Sequence, residues 1–453
     1  MKHIETDVLV IGWGKAGKSL ARTLGSLGHS VVMVEASDQM YGGTCINVAC
    51  VPTKALVHQA ELRRTADSAA TWFRSAVHTR DSLTAKLRAR NHAMLAEVDA
   101  VTLVDGSARF VGPREVEVSA GEDRLRVSGR TVVINTGTVP ARPDLFGVES
   151  PRVHDSTTLQ HVDPLPRSLV VVGGGFIGLE FAGMFARFGS KVTLLNSADR
   201  LLPREDDDVA HAVAAALADA GVEVRNGVRA TGFLEHGSGV SVQYDGGLLD
   251  AEAVLLATGR RPSTEALELA VAGIAVDERG FIVVDEQLRT SAEGVFAVGD
   301  VNGGPQFTYI SYDDHRIVLD QLVAGGTRRT TDRVAVPTTT FLTPPLSRVG
   351  LSETQAREQG LDVHVVAKAV ADIAAMPRPK IVGETHGLIK FVIDASTGLI
   401  IGATLFCIDS QELINLVALA MRAGVPAANL CDGIWTHPSS TEAFNEVLAA
   451  LPR

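Results

Sequence analysis

The chain has 453 residues, 45% hydrophobic and 21% charged, the balance of an ordinary globular protein rather than a disordered or fibrous one. A net charge of −11 argues against nucleic acid and anionic membranes as partners. No apolar run reaches the ~18 residues of a membrane span, and the length suggests roughly two to four domains.

Met1-Lys2-His3 leads almost directly into a strand, so no targeting segment is expected and the cytoplasm is the expected location. Val8-Leu9-Val10-Ile11 reads as a buried strand, and Gly12-Trp13-Gly14-Lys15-Ala16-Gly17 follows it at once. A helical stretch to about Leu27 leads into a second strand, Ser30-Val31-Val32-Met33-Val34, which ends on Glu35. Glycines at Gly12, Gly14 and Gly17 allow a tight turn, close backbone approach to a pyrophosphate and close helix–strand packing. Glu35 lies 23 residues after Gly12, where a carboxylate can accept from a ribose diol. A lone GxGxxG is weak evidence. Framed by two strands and closed by an acid, it predicts a dinucleotide site.

Next comes Gly42-Gly43-Thr44-Cys45-Ile46-Asn47-Val48-Ala49-Cys50-Val51-Pro52-Thr53-Lys54, which holds two of the four cysteines. In a reducing compartment a close cysteine pair is more often catalytic or metal-binding than a structural staple. A regular helix would separate i and i+5 by about 7.5 Å of rise, more than a disulfide spans. If the two form a disulfide, Cys45 must therefore lie in an irregular approach and Cys50 near a helix start. Pro52 agrees, because proline is tolerated in a first turn. Cys50 would then sit at the positive end of a helix, which favours the thiolate, with Lys54 one turn on. The alternative is two buried thiols in an Ala/Val-rich helix; the preceding glycines and the surrounding motifs favour redox chemistry. Cys407 and Cys431 are isolated and are expected to be buried and inert.

Helical patterns over roughly 54–75 and 82–98 precede short strands up to about residue 134, and Asn135-Thr136-Gly137 closes that sheet. Pro143, Pro151, Pro164 and Pro166 mark a linker around 144–168. Then the pattern repeats: strand Ser168–Val172, turn Gly173-Gly174-Gly175-Phe176-Ile177-Gly178, strand Val192–Leu195. Two such folds in one chain imply two bound nucleotides. The second strand ends on Asn196 and Ser197, which write neither the acid that suits a free 2′-hydroxyl nor the arginine that holds a 2′-phosphate; Arg200 or Arg204 could swing in to favour NADPH. Glu205-Asp206-Asp207-Asp208 reads as a solvated helix N-terminus without chemistry. Strand 253–257 ends in Thr258-Gly259-Arg260, and strand 295–298 ends in Gly299-Asp300, an acid placed to reach a ligand in the sheet crevice. From about residue 337 the pattern becomes α+β, with strands near 338–342, 363–368, 388–393 and 400–406 and helices near 409–423 and 439–449. His437, followed by Pro438 and then by Glu442, is placed as an oriented acid–base pair.

Taken together, these motifs resemble the two-dinucleotide flavoprotein disulfide reductases, the family of lipoamide dehydrogenase, glutathione reductase and mercuric reductase. The resemblance covers essentially the whole chain. It implies an α/β fold with two Rossmann-like domains and a C-terminal α+β dimerisation domain. FAD would bind at 1–148 completed by 283–336, NAD(P)H at 149–282, and 337–453 would form a homodimer. By the resemblance Gly12, Gly14, Gly17, Glu35, Gly43, Thr44, Lys54, Thr136, Gly137, Asp300 and Gly259 serve the cofactors with Gly173, Gly175, Gly178 and Asn196. Phe176 would gate the nicotinamide pocket. Cys45 would be the thiol facing substrate and Cys50 the one against the flavin, with Lys54 and Glu180 an ion pair beside it. His437 and Glu442 would reach the neighbouring subunit's site. Ala49 stands where the family usually has glycine.

No resident metal is implied. The chain ends Leu448-Ala449-Ala450-Leu451-Pro452-Arg453, without the cysteine pair of mercuric reductase, and Ser197 and Ala198 stand where glutathione reductase has arginines. Segments 306–311, 343–350 and Cys407-Ile408-Asp409-Ser410 look like the reactive-chlorine-resistance flavoproteins that reduce hypothiocyanous acid. The open alternatives are a lipoamide-type disulfide reductase, a metal-ion reductase and, outside enzymes, a redox sensor. An intact His437/Glu442 pair argues against the sensor, which needs no proton relay.

Overall fold

A computed structural model describes residues 2–452. The chain divides into two units: the first runs to Leu56 and adds Ser75–Ala141 and Gly259–Arg333, and the second holds Val57–Arg74, Arg142–Thr258 and the chain from Val334 on. Among the described residues no helix is long and apolar enough to cross a membrane.

The first unit is built on a sheet whose central strand, Lys2–Ile11, pairs in parallel with Val31–Glu35 on one side and Asp123–Ile134 on the other. Val101–Asp105 extends it beyond Val31–Glu35, and Val295–Ala297 joins Asp123–Ile134 in parallel. Strands Glu115–Ala120 and Ser107–Gly112 complete the far edge in antiparallel fashion. Val8, Leu9, Val10 and Ile11 are all buried, as a continuous apolar run covered on both faces requires. Helix Lys15–Ser26 packs Ala16, Leu20, Ala21 and Leu24 on one face and Leu9 and Ile11 meet Val132, Ile134 and Ala297 on the other.

The second unit repeats the scheme with parallel strands in the order Val222–Asn226, Lys191–Asn196, Ser168–Val172, Ala253–Leu256 and Val153–Asp155. The segment read as a proline linker thus supplies an edge strand, Val153–Asp155; it is too short for periodicity to reveal. A five-stranded antiparallel sheet, Thr338–Thr340, Leu346–Gly350, Ile400–Phe406, Leu388–Asp394 and Val363–Ala369, forms the C-terminal part. Helices Ser410–Arg422 and Ala443–Leu448 cover it, with Phe391 and Phe444 edge to face at 5.4 Å. The α/β class with two Rossmann-like folds and a C-terminal α+β domain therefore holds.

Two helix boundaries and the setting of the acidic run differ from the sequence reading. The helices after the cysteines are Cys50–Leu62 and Ala69–Ala96, so the break falls near residue 65 rather than 78. Asp67 makes that break by accepting the Arg64 amide at 2.9 Å, a local bond that competes with helix. The last helix begins only at Ala443. The acidic run does open a helix, Asp207–Asp219, with Asp207 and Asp208 exposed, but Glu205 and Asp206 are buried. Lys390, itself buried, lies 3.1 Å from Asp206, 3.0 Å from Asp208 and 2.9 Å from Glu353. Asp206 also accepts the backbone amides of Glu353 and Thr354, both at 3.0 Å. Its partners stand 147 to 184 residues away in sequence, beyond the reach of a local charge argument.

Candidate active site

Gly42 and Gly43 both take left-handed φ, +100° and +77°, and a Cβ on Gly43 would stand 2.9 Å from Gly14 Cα. The cysteine segment therefore lies backbone to backbone on the first glycine turn, a packing only glycine permits. Cys45 falls in a single helical turn, Thr44–Asn47, instead of the irregular approach expected; Val48 and Ala49 break it, and Cys50 opens the helix Cys50–Leu62. Asn47 braces the turn: its Nδ2 donates to Tyr41 O and Gly43 O at 3.0 Å, and its Oδ1 accepts from Arg88 Nε at 2.9 Å.

Both cysteines are free thiols with their sulfurs in hydrogen-bond contact. Thr308, first residue of helix Thr308–Val323, sets its hydroxyl 3.5 Å from Cys50 Sγ and also bonds Cys45. Contact with Cys45 lowers the Cys50 pKa; burial opposes this, and Thr308 and the Lys54 ammonium assist it. The same contact, then burial, pushes the Cys45 thiol up. The pair shares one proton, with Cys50 as thiolate at the start of its helix, where the dipole favours the anion. Phe307 and Tyr309 stack at 5.1 Å beside Thr308.

The first glycine turn fits an FAD. Gly12 has φ +95°, and a Cβ there would come 2.6 Å from Asn135 O. Asn135 ties the site together: its Oδ1 accepts Gly17 N at 2.8 Å and its Nδ2 donates to Val298 O at 2.7 Å, just before Gly299 and Asp300. Glu35 accepts Trp13 N at 2.9 Å and Ser37 N at 3.2 Å, and burial raises its pKa. Thr138 Oγ1 donates to Asp300 at 3.2 Å, and burial raises Asp300 as well. Thr44 Oγ1 lies 3.9 Å from the Cβ position of Gly137, and the space around Gly259 is open. Trp13 Nε1 and Thr136 Oγ1 are buried without a hydrogen-bond partner, two polar atoms that a bound group can satisfy. The fit of glycine cradle, acid and orphaned polar atoms is good.

The second turn fits a nicotinamide nucleotide. Helix Phe176–Phe188 starts on Gly175 with no side-chain cap, leaving its first amides for an anion. A Cβ on Gly178 would meet Gly173 O at 1.9 Å, whereas Gly175 has nothing within 4 Å. Phe176, expected from the resemblance to gate the nicotinamide pocket, is 49% exposed. Asn196 is buried, its Nδ2 donating to Ala198 O, Arg200 O and Asn226 Oδ1. Arg200 is committed to Pro203 O and Glu205 O and pairs with Asp207, so it is no free clamp for a 2′-phosphate.

Glu180 is buried on that helix and accepts Phe341 N at 2.9 Å; Lys54 stands on the cysteine helix. His437 Nδ1 lies 2.8 Å from Glu442 Oε1, and Glu442 Oε2 accepts Ser439 N at 2.8 Å. That amide, then His437, hold the Glu442 carboxyl below its ordinary range, and the His437 ring is largely exposed. Cys407 is buried in the C-terminal core, where burial raises its thiol pKa, and Cys431 is half-buried with its thiol donating to Asn445 O. Sequence reasoning missed Asn135 and Thr308. Asn135 and Thr308 both stood in quoted segments, but only the fold shows the bonds of Asn135 and the contact of Thr308 with the cysteines.

Residues 6–314 match the pyridine nucleotide-disulphide oxidoreductase family, and residues 336–448 match that family's dimerisation domain. The probable pyridine nucleotide-disulfide oxidoreductase RclA of Escherichia coli K12 is 45% identical over 98% of this chain and 99% of its own. A dihydrolipoyl dehydrogenase of Geobacillus stearothermophilus is 33% identical over 98% and 95%, and a mercuric reductase of Lysinibacillus sphaericus 31% over 98% and 82%. A solved Cu(II) complex of the HOCl-induced flavoprotein disulfide reductase RclA from E. coli superposes with a TM-score of 0.95 at 43% identity, covering 99% of this chain and all of that one.

Proposed function

The chain belongs to the pyridine nucleotide-disulphide oxidoreductases, and on that premise we propose that its dithiol reduces a small electrophilic oxidant, hypothiocyanous acid first among them. It is an NAD(P)H-dependent FAD oxidoreductase with a dimerisation domain. When bound, FAD supplies the two-electron relay between nicotinamide and the cysteine pair.

The chain's own residues then do the following. Gly12, Gly14 and Gly17 with Glu35 and Asp300 would hold the flavin nucleotide, and Gly173, Gly175 and Gly178 would hold the nicotinamide nucleotide, with Phe176 as its gate. Reduced, the pair is one thiol and one thiolate. Cys45 sulfur bonds to the electrophilic sulfur of hypothiocyanous acid, and the departing hydroxide leaves as water with the shared proton. Cys50 sulfur then attacks Cys45 sulfur, the disulfide closes and thiocyanate leaves. Thiol, thiolate and hypothiocyanous acid thus give disulfide, thiocyanate and water, two electrons having passed. We assign proton handling to His437 and Glu442 of a second copy, in a homodimer formed through 337–453 and working in the cytoplasm.

The observation that carries the redox reading is the Cys45–Cys50 contact at a helix start, with Thr308 on both sulfurs. The oxidant branch is supported by greater identity to RclA than to the dihydrolipoyl dehydrogenase and mercuric reductase relatives. Turnover of purified protein with NADH and NADPH should be compared for hypothiocyanous acid, dihydrolipoamide with NAD⁺, glutathione disulfide and Hg²⁺. Hypothiocyanous acid should be fastest and Cys45→Ser inactive; the reverse ranking with dihydrolipoamide would make the enzyme lipoamide-type. Cys50→Ser should keep FAD and lose the long-wavelength thiolate–flavin absorbance. Mixing exchangeable Cys45→Ser and His437→Ala subunits should restore turnover if the site spans two copies.

A further inference from the structure

The loop after strand Lys191–Asn196 runs to Asp206, the residue before helix Asp207–Asp219. In a dinucleotide fold the end of that strand meets the adenosine ribose of the bound nucleotide. Asn196 lies against the second glycine turn: a Cβ on Gly174 would come 2.6 Å from its Oδ1, and its Nδ2 holds Ala198 O at 3.1 Å and Arg200 O at 3.0 Å. Leu202 is buried with φ +49°, a left-handed conformation that a leucine keeps only where its surroundings impose it. The contacts that can impose it lie at the loop's end. Glu205 is buried and accepts from Arg348 Nη1, on strand Leu346–Gly350, at 2.7 Å. Asp206 accepts the amides of Glu353 and Thr354 and the Thr354 hydroxyl, the last at 2.7 Å. It shares Lys390, on strand Leu388–Asp394, with Asp208 and Glu353. Ser197, Asp199 and Arg204 stay exposed.

We propose that Arg348 and Lys390 are positioning residues for the nicotinamide nucleotide: from the C-terminal sheet they hold loop 197–206 in the conformation that receives the adenosine ribose. They act through Glu205 and Asp206. The start of the loop is tied to the neighbouring strand, where Asn196 Nδ2 donates to Asn226 Oδ1 and Gly227 N to Ala198 O. Its middle is tied only to itself, by Arg200 Nη2 on Pro203 O and Glu205 O. Its end is tied by the C-terminal sheet alone among these contacts. Glu205, Asp206 and Lys390 are all buried, and separating such charges leaves one without its counter-ion, which is strongly unfavourable. A loop pinned at both ends loses its freedom on folding rather than at each binding event. That suits a nucleotide which enters and leaves in every cycle. The C-terminal part then does more than pair subunits: it sets how tightly the second nucleotide is held.

Only NAD(P)H dependence is required here, not the identity of the oxidant, so the test uses no oxidant. Titration calorimetry of ADP-ribose, the nucleotide without its nicotinamide, into oxidised holoenzyme reads the loop directly. Stopped-flow reduction of the flavin by NADH and by NADPH separates affinity from the limiting rate. Arg348→Met and Lys390→Met should each weaken ADP-ribose roughly tenfold, as when the receiving conformation falls to about a tenth of the population. The Kd of the reduced nucleotide should rise in step while the limiting rate of flavin reduction is unchanged. Arg348→Lys, which keeps a charged donor for Glu205, should stay within about threefold of the unsubstituted enzyme. Glu205→Gln and Asp206→Asn weaken the same pairs from the loop's side and give the answer if a methionine variant does not fold. Unchanged ADP-ribose affinity in the folded variants would overturn the proposal and leave the cluster a device of stability alone. A lysine variant as weak as the methionine one would overturn it too, and so would a lower limiting rate at unchanged affinity, which would place the effect at the nicotinamide end.

Discussion

Gly12 and Gly173 open the same kind of turn, with φ of +95° and +114°, yet their surroundings differ. The first turn is closed from every side. Asn135 reaches Gly17 and Val298, Gly43 packs on Gly14, and Glu35 caps the strand end with a half-buried carboxylate. The second is open at Gly175, shows an exposed Phe176, and ends on Asn196, whose amide is spent on its own loop. One motif thus serves two kinds of residence: a cofactor locked in by the fold, and a nucleotide that must enter and leave each cycle. The carboxylates divide in the same way. Burial raises Glu35 and Asp300 in the first unit, whereas in the second, bonds from Thr354 and Lys390 overcome burial and lower Asp206 to about 2.

The sharpest way to break this comparison is to place the same methyl group in both turns. Gly12→Ala sets a Cβ 2.6 Å from Asn135 O at a positive φ and should destabilise by more than about 3 kcal/mol with loss of FAD. Gly175→Ala, in open space at φ −79°, should keep fold and flavin within about 0.5 kcal/mol and act only on nicotinamide KM. Urea melts and flavin absorbance measure both. Next, Asn135→Leu leaves the buried Gly17 amide and Val298 carbonyl unsatisfied and should cost about 2–4 kcal/mol, again with flavin release.

The third prediction concerns acid. Asp206 is lowered in the fold, so its contribution is complete above its ordinary value of 3.8 and is lost as pH falls from there towards about 2. Glu35 and Asp300, raised in the fold, run the other way: the penalty for their charge is relieved as pH falls through their raised values. Asp206→Asn should cost about 1–3 kcal/mol at neutral pH and flatten the acid limb of the stability curve below pH 4. An unchanged limb would mean the Lys390 cluster is not what fails in acid. The smallest effect is nucleotide choice. The preference between NADH and NADPH should stay below about 100-fold, and Ser197→Arg, on an exposed side chain, should shift it roughly tenfold towards NADPH.

Much of this was legible in the sequence, because each glycine turn is a local pattern: strand, glycines, helix and the residue ending the next strand all lie within about thirty residues. The cysteine helix was legible too, since Pro52 fixes where it can begin. What escaped depends on residues far apart in the chain. Lys390 finds Asp206 across 184 residues of sequence, and Thr308 reaches Cys50 across 258. Val153–Asp155 owes its strand to pairing with Ala253–Leu256, not to any period of its own. Arg200 looked free because its acceptors are backbone carbonyls of its own loop, which composition does not display.

On the proposed reading the substrate is an oxidant, and the enzyme's other sulfurs are exposed to the same chemistry. Cys407 is fully buried and its thiol is held protonated by that burial, so it offers oxidants almost no thiolate to attack. Met33, Met184 and Met376 are likewise sealed in the cores. Burial thus withdraws these four sulfurs from attack, and on the proposed reading Cys45 and Cys50, the sulfurs that meet the oxidant, are the ones restored at every turnover.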